Sequence, residues 1–310
     1  MPKLRISIVQ YLNTAPLVRG FTHGPLSGKY DLSFTVPSQC AEALRSGAAD
    51  IAIIPAIEYQ RIPNLVILPD LSIASKERVR SLLILSKVPI RQARRIALDT
   101  SSRSTQALTR ILCDKHWRIA PEFHQAAPEL ADMLSSADAA LVIGDPALRI
   151  AIGAEAKAKP GLDHELICDG KTVGLPEFPK LHIYDVVQEW RNLTQRPAVL
   201  AVWAARPEVA SVALADEFMA SLEFGMAHLQ DICAEASHEL NLPEKELDLY
   251  VRTNIDYSLD DDNRNGLLAY YAHAFRLGLL DKLNPISIAP RTGVPARSMD
   301  FSWLQSPVSK

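Results

Sequence analysis

The sequence predicts an α/β protein of two similar lobes with a ligand cleft between them, and three observations carry that prediction. A strand, a turn and a helix open the chain. The same order of signals returns about 90 residues later, and two apolar runs stand where the chain would cross between lobes.

The elements follow in order. Arg5-Ile-Ser-Ile-Val9 reads as a short buried strand, and Asn13-Thr14 leads into a helix. Pro16 suits the first helical turn, where its missing N–H is no loss, and Thr14 is placed to cap it. After a turn from Pro25 to Gly28, LSFTV (32–36) alternates like a strand. Pro37-Ser38 opens the helix QCAEALRSG, Gly47 closes it, and IAIIP (51–55) is the next strand.

The second copy begins at Arg95-Ile-Ala-Leu-Asp99, and Thr100 to Thr105 stands where Gln10 to Ala15 stood, before the helix QALTRILCDKH. Residues 128–148 then echo residues 39–59: a helix ending in small residues, Ala-Asp, a buried strand, a turn and a new helix. Arg5 and Asp50 lie 45 residues apart, Arg95 and Asp138 43 apart. The apolar runs VRSLLILSK (79–87) and PAVLAVWAA (197–205) are the expected crossings. The simplest topology inserts a lobe of residues 89–195 into one made of 1–88 plus 196–310. Beyond Arg206 the pattern is helical over residues 211–236 and 263–280, and the end of the chain, with Pro285, Pro290, Pro295 and Pro307, reads as an irregular tail.

With 310 residues, 48% hydrophobic and 22% charged, the chain has material for two cores. A net charge of -3 offers no basic field for nucleic acid or an anionic membrane, so an anionic ligand has to be caught by local donors. Cys40, Cys113, Cys168 and Cys233 form no Cys-x-x-Cys pair, which points to reduced structural thiols and no metal. The first residues lack a secretory pattern and no apolar run spans a bilayer, so a soluble, cytoplasmic protein is expected. Nucleotide-loop, hydrolase-elbow and zincin motifs are missing. Asp261 to Gly266 starts like a calcium loop, but Ala272 holds the position that requires glutamate, which leaves a helix start.

In open α/β sheets ligands bind beyond the carboxyl ends of the strands, where helix N-termini expose N–H groups. Thr100, Ser101, Ser102 and Ser104 gather hydroxyls at one such start. They suit a carboxylate or phosphate, although capping accounts for one or two of them. Arg103 adds charge there or is simply solvated. Asn13, at the matching turn, orients a hydroxyl or ether oxygen, or serves the turn itself. Asp145, between Gly144 and Pro146, reads first as an N-cap and second as a ligand-facing carboxylate. Glu58 and Tyr59 share that ambiguity, and Arg80-Ser81 starts the crossing strand.

Tyr11-Leu-Asn-Thr14, Val79-Arg-Ser-Leu82, Ile96-Ala-Leu-Asp-Thr-Ser-Ser-Arg103, Ala139-Ala-Leu-Val-Ile-Gly-Asp145 and Asn254-Ile-Asp-Tyr-Ser258 together resemble the chorismate dehydratases of the futalosine route to menaquinone. The sister family that makes 1,4-dihydroxy-6-naphthoate typically has a Cys-Pro-Asn-Asp first turn, which favours the dehydratase. The resemblance implies a periplasmic-binding-protein fold of the second type and a lyase that removes water from chorismate without metal or cofactor. It gives Asn13 a catalytic role, and it makes Ser81, Thr100, Ser101, Ser102, Gly144 and Asp145 substrate-binding. The rival readings are the sister enzyme and a non-catalytic binder of small anions.

Overall fold

The computed structural model describes residues 2–157 and 166–302. The strands, numbered along the chain, are β1 (Arg5–Val9), β2 (Asp31–Thr35), β3 (Ile51–Pro55), β4 (Val66–Ser75), β5 (Leu82–Ser86), β6 (Arg95–Asp99) and β7 (Glu122–Ala126). They continue as β8 (Ala139–Ile143), β9 (Leu166–Asp169), β10 (Lys180–Asp185), β11 (Ala198–Ala205), β12 (Asp256–Ser258), β13 (Ile286–Ile288) and β14 (Arg297–Met299). The chain divides into two compact units, the first from described residues of 2–74, 198–232 and 256–302, the second from those of 75–197 and 233–255.

The first unit holds a sheet of order β14-β13-β4-β11-β3-β1-β2, with β12 also on β4. Here β1 runs parallel to β2 and β3, and β11 runs antiparallel to β3. The second unit holds a sheet of order β7-β6-β8-β5-β10-β9. In it β6 runs parallel to β7 and β8, and β5 runs antiparallel to β8 and β10. The path β2-β1-β3-β11 in one sheet is therefore the path β7-β6-β8-β5 in the other. The repeat legible in the sequence is a repeat of sheet topology.

In each sheet, the strand that pairs antiparallel with β3 or β8 comes from one of the two apolar runs. β3, β5, β8 and β11 are buried along their whole length, as strands covered on both faces must be, and they accordingly read as continuous apolar runs. Such a run is equally at home in either sheet, and only its pairing decides. Because β5 pairs on both sides with second-unit strands, residues 75–88 lie in the second unit, as do residues 233–255. The tail differs from the irregular segment expected: β13 pairs with β14 and with β4. Pro285, Pro290 and Pro295 flank these short strands without interrupting them, so no ladder N–H is missing. Pro307 lies outside the described residues.

The helix Ala15–Thr22 follows the first turn and packs on the helix Val212–Ala227. Their approach is so close that a Cβ on Gly225 would stand 2.0 Å from the carbonyl oxygen of Pro16. Ser221 Oγ also donates to the Leu17 carbonyl at 2.8 Å. The start of the helix that carries the Asn13 turn is thus held at backbone level. Among the described residues no helix is long and apolar enough to cross a membrane.

Candidate active site

Six of the seven expected site residues come to one end of the second sheet. Thr100 follows the last residue of β6 and Gly144 the last of β8, while Ser81 precedes antiparallel β5, whose Leu82 pairs with Ile143. Ser81 is buried, and its carbonyl accepts the Gly144 N–H at 2.8 Å. Its Oγ accepts from the Tyr250 hydroxyl, also at 2.8 Å, so the Ser81 proton is left to point at a different acceptor. Gly144 has φ +70°, a backbone state that a side chain would strain. The helix Gly144–Glu155 starts at this glycine with Ile143 as its cap residue, so Asp145 lies in the first turn and does not occupy the N-cap position.

The hydroxyl cluster resolves into separate jobs. Ser101 donates both its N–H (2.8 Å) and its hydroxyl (2.5 Å) to Asp99 Oδ1. Ser102 caps the helix Arg103–Ile111: its Oγ accepts the Thr105 N–H at 3.4 Å and donates to Thr105 Oγ1 at 2.8 Å. Thr100 is the exposed member, tied through its backbone N–H to the Ala126 carbonyl at 3.1 Å. Capping and internal bonding therefore use the hydroxyl donors of Ser101 and Ser102, while the Thr100 side chain stays exposed. Asp99 is buried, and burial pushes its carboxyl above the ordinary range; the bonds from Ser101 and from the Ile143 N–H offset this only in part.

Asn13 belongs to the first unit, in the short turn Leu12–Thr14 after β1. It is half-buried, and its Oδ1 accepts from Thr14 Oγ1 at 3.2 Å, which uses neither N–H of the amide. Thr14 stands at the cap position without a side-chain cap bond. Glu58 is fully buried and pairs with Arg45 and with Arg61, the latter at 2.9 Å, so it holds that unit together. Tyr59 bonds Ser287 and Leu65.

Three residues of this constellation were not singled out as site residues in the sequence: Asp99, Tyr250 and Arg80. Asp99 left a trace, a charge ending an otherwise apolar strand. Arg80 is visible only as the residue beside Ser81 at the start of the crossing strand, and Tyr250 sits in a helical stretch far from the motif it serves. The four cysteines are buried and free, with burial pushing Cys40 up to about 11 and Cys113 to about 12, as fits inert thiols. No metal-holding cluster of His, Cys, Asp or Glu occurs among the described residues.

A family model described as menaquinone biosynthesis matches residues 4–276. The chain belongs to that family. Over 267 residues it is 27% identical to a chorismate dehydratase of Thermus thermophilus, covering 86% of this chain and 93% of that one. Among solved structures, a protein of Archaeoglobus fulgidus aligns with a TM-score of 0.65 at 15% identity, over 89% of this chain and 98% of that one. The periplasmic aliphatic sulphonate binding protein of Escherichia coli aligns at 0.57 and 15%, over 91% and 95%. These two likenesses establish the periplasmic-binding-protein fold, in which this menaquinone-biosynthesis family member carries its repeated sheet.

Proposed function

We propose that this chain is a cytoplasmic hydro-lyase of the futalosine route that converts chorismate to 3-(1-carboxyvinyloxy)benzoate. The observation that carries the reading is the similarity to a chorismate dehydratase along nearly the whole of both chains. In the substrate, the ring C3–H is acidified through the conjugated ring carboxylate, and C4 carries the hydroxyl. Removal of the C3 proton sends the C–H electron pair into a C3–C4 double bond, the C4–O bond breaks, and the oxygen leaves as water with one added proton. The ring becomes aromatic, so the protein's task is to position the substrate and shield it from competing rearrangement.

In this reading Ser81 and Thr100 donate to carboxylate oxygens, the backbone at Gly144 and Asp145 lines the same place, and Ser101 and Ser102 shape the turn. The Asn13 amide holds the enolpyruvyl ether or the departing hydroxyl. Asp99 is committed to Ser101 and Ile143, which favours the substrate's own enolpyruvyl carboxylate as the proton acceptor, held over C3 by Asn13. The test is incubation with chorismate and detection of the aromatic ether. Turnover by the wild type, and a loss of about a hundred-fold or more in Asn13→Ala with the fold intact, are the expected results. Chorismate left unconsumed would sink the assignment, and wild-type turnover by the variant would remove Asn13 from the mechanism.

A further inference from the structure

Arg80, next to Ser81, combines a left-handed backbone with buried, unpaired donors. Its φ is +64°, which a side chain occupies only at a cost, yet the position is not glycine. Its side chain is 3% exposed, and its Nε and Nη1 are buried without a hydrogen-bond partner. Such unpaired donors are expensive, so other contacts must hold the residue in place. Nη2 lies 2.7 Å from Glu155 Oε2 and 2.9 Å from Glu246 Oε2. The backbone N–H donates to Asp185 Oδ2 at 2.6 Å, beside the Val79 N–H at 3.0 Å.

The partners of this guanidinium lie on helical segments that also lead to the partners of Ser81. Glu155 ends the helix whose first residue, Gly144, donates its N–H to the Ser81 carbonyl. Glu246 lies in the helix Glu244–Leu249, and the next residue, Tyr250, donates its hydroxyl to Ser81 Oγ. One side chain therefore links the helix that begins at Gly144 with the helix that leads into Tyr250, the two residues that bond Ser81 through its backbone and its hydroxyl. We propose that Arg80 is a positioning residue: by bridging Glu155 and Glu246 it sets Gly144 and Tyr250 around Ser81, so that the Ser81 hydroxyl is presented to a substrate carboxylate.

The positioning claim concerns Ser81 itself, and its catalytic consequence rests on the chorismate reading. Chorismate kinetics are measured on wild type, Arg80→Met, Ser81→Ala, the double variant, Arg80→Lys and Glu246→Gln. Arg80→Met is expected to lower kcat/KM by about ten-fold in the wild-type background and by less than about two-fold in the Ser81→Ala background, because residues acting as a unit are not additive. Arg80→Lys should recover about a third of the lost activity, since an ammonium reaches the glutamates as a point charge without the planar fork. Glu246→Gln leaves Arg80 in place and serves if Arg80→Met does not fold; a loss of about three-fold is expected. Equal losses by Arg80→Met in both backgrounds would overturn the proposal.

A second readout needs no substrate. Amide exchange at Gly144, whose N–H bonds Ser81, should quicken by about ten-fold in Arg80→Met or Glu246→Gln, while exchange at Asp138, whose N–H bonds the Arg95 carbonyl, stays unchanged. Equal acceleration at both amides would show general loosening and refute positioning. Wild-type turnover by Ser81→Ala would instead refute the role of Ser81 in catalysis, and the amide comparison would still decide what Arg80 does.

Discussion

In the first unit, Asp50 accepts from the backbone N–H of Arg5 at 2.9 Å and from its guanidinium at 2.6 Å. In the second, Asp138 accepts from the backbone N–H groups of Arg94 at 2.8 Å and Arg95 at 3.0 Å. Both aspartates sit just ahead of the strand that pairs with the first strand of their repeat, and both tie its start. The turns after those first strands diverge: one offers a lone amide at Asn13, the other a buried carboxylate wrapped by Ser101 and a capped helix. Every copy of the plan has to close its parallel crossover, so the aspartate joint recurs. Nothing in the fold requires particular side chains at the strand ends, which is where a ligand site can change freely.

Within the second unit, the largest effect should come from breaking the feature that the first unit lacks. In Asp99→Asn, one oxygen must still meet two donors on Ser101, and the amide NH2 then faces the Ile143 N–H. An unsatisfied buried donor costs about 2 kcal/mol, roughly thirty-fold if the loss falls on the reactive geometry. The expected result is a drop of that size in kcat/KM on chorismate, with Tm lowered by several degrees. Undiminished turnover would mean that the Ser101 turn does not shape the site.

How much of this could be read beforehand follows from the range of the forces involved. β1, β3 and β6 were legible to the residue, because a buried strand is encoded in consecutive side chains. The Arg5–Asp50 and Arg95–Asp138 correspondence was visible as spacing, and it proved to be a pair of hydrogen-bonded joints. The four hydroxyls at 100–104 were visible too, but their division into cap, carboxylate partner and exposed group depends on where Asp99 and Thr105 point. Tyr250 on Ser81 spans 169 residues of chain, and no local pattern announces such a contact. The membership of residues 75–88 likewise depended on pairing, which hydropathy does not record.

The smaller predictions set the two joints against each other. The Arg5 hydrogen bond, aided by its charge, holds Asp50 below the ordinary carboxylate value. For Asp138 burial pushes upward, but the Arg94 and Arg95 amides together with the charges of Lys87 and Arg95 more than offset it, and that carboxylate too is held low. Both contributions are therefore present above the unfolded value near 4 and are lost as pH falls through the depressed folded values. Asp138→Asn should cost about 1.5 kcal/mol at neutral pH, a Tm change of roughly 4 °C, and its difference from wild type should vanish well below pH 4. Asp50→Asn should cost less, because the Arg5 guanidinium is largely exposed and its attraction is screened. Raising salt from about 0.05 to 1 M shortens the screening length several-fold, so it should erase most of the Asp50→Asn difference and spare that of Asp138→Asn. Matching salt dependence in the two variants would mean that the joints are electrostatically alike, and that the guanidinium the first unit adds to its backbone donor makes no difference.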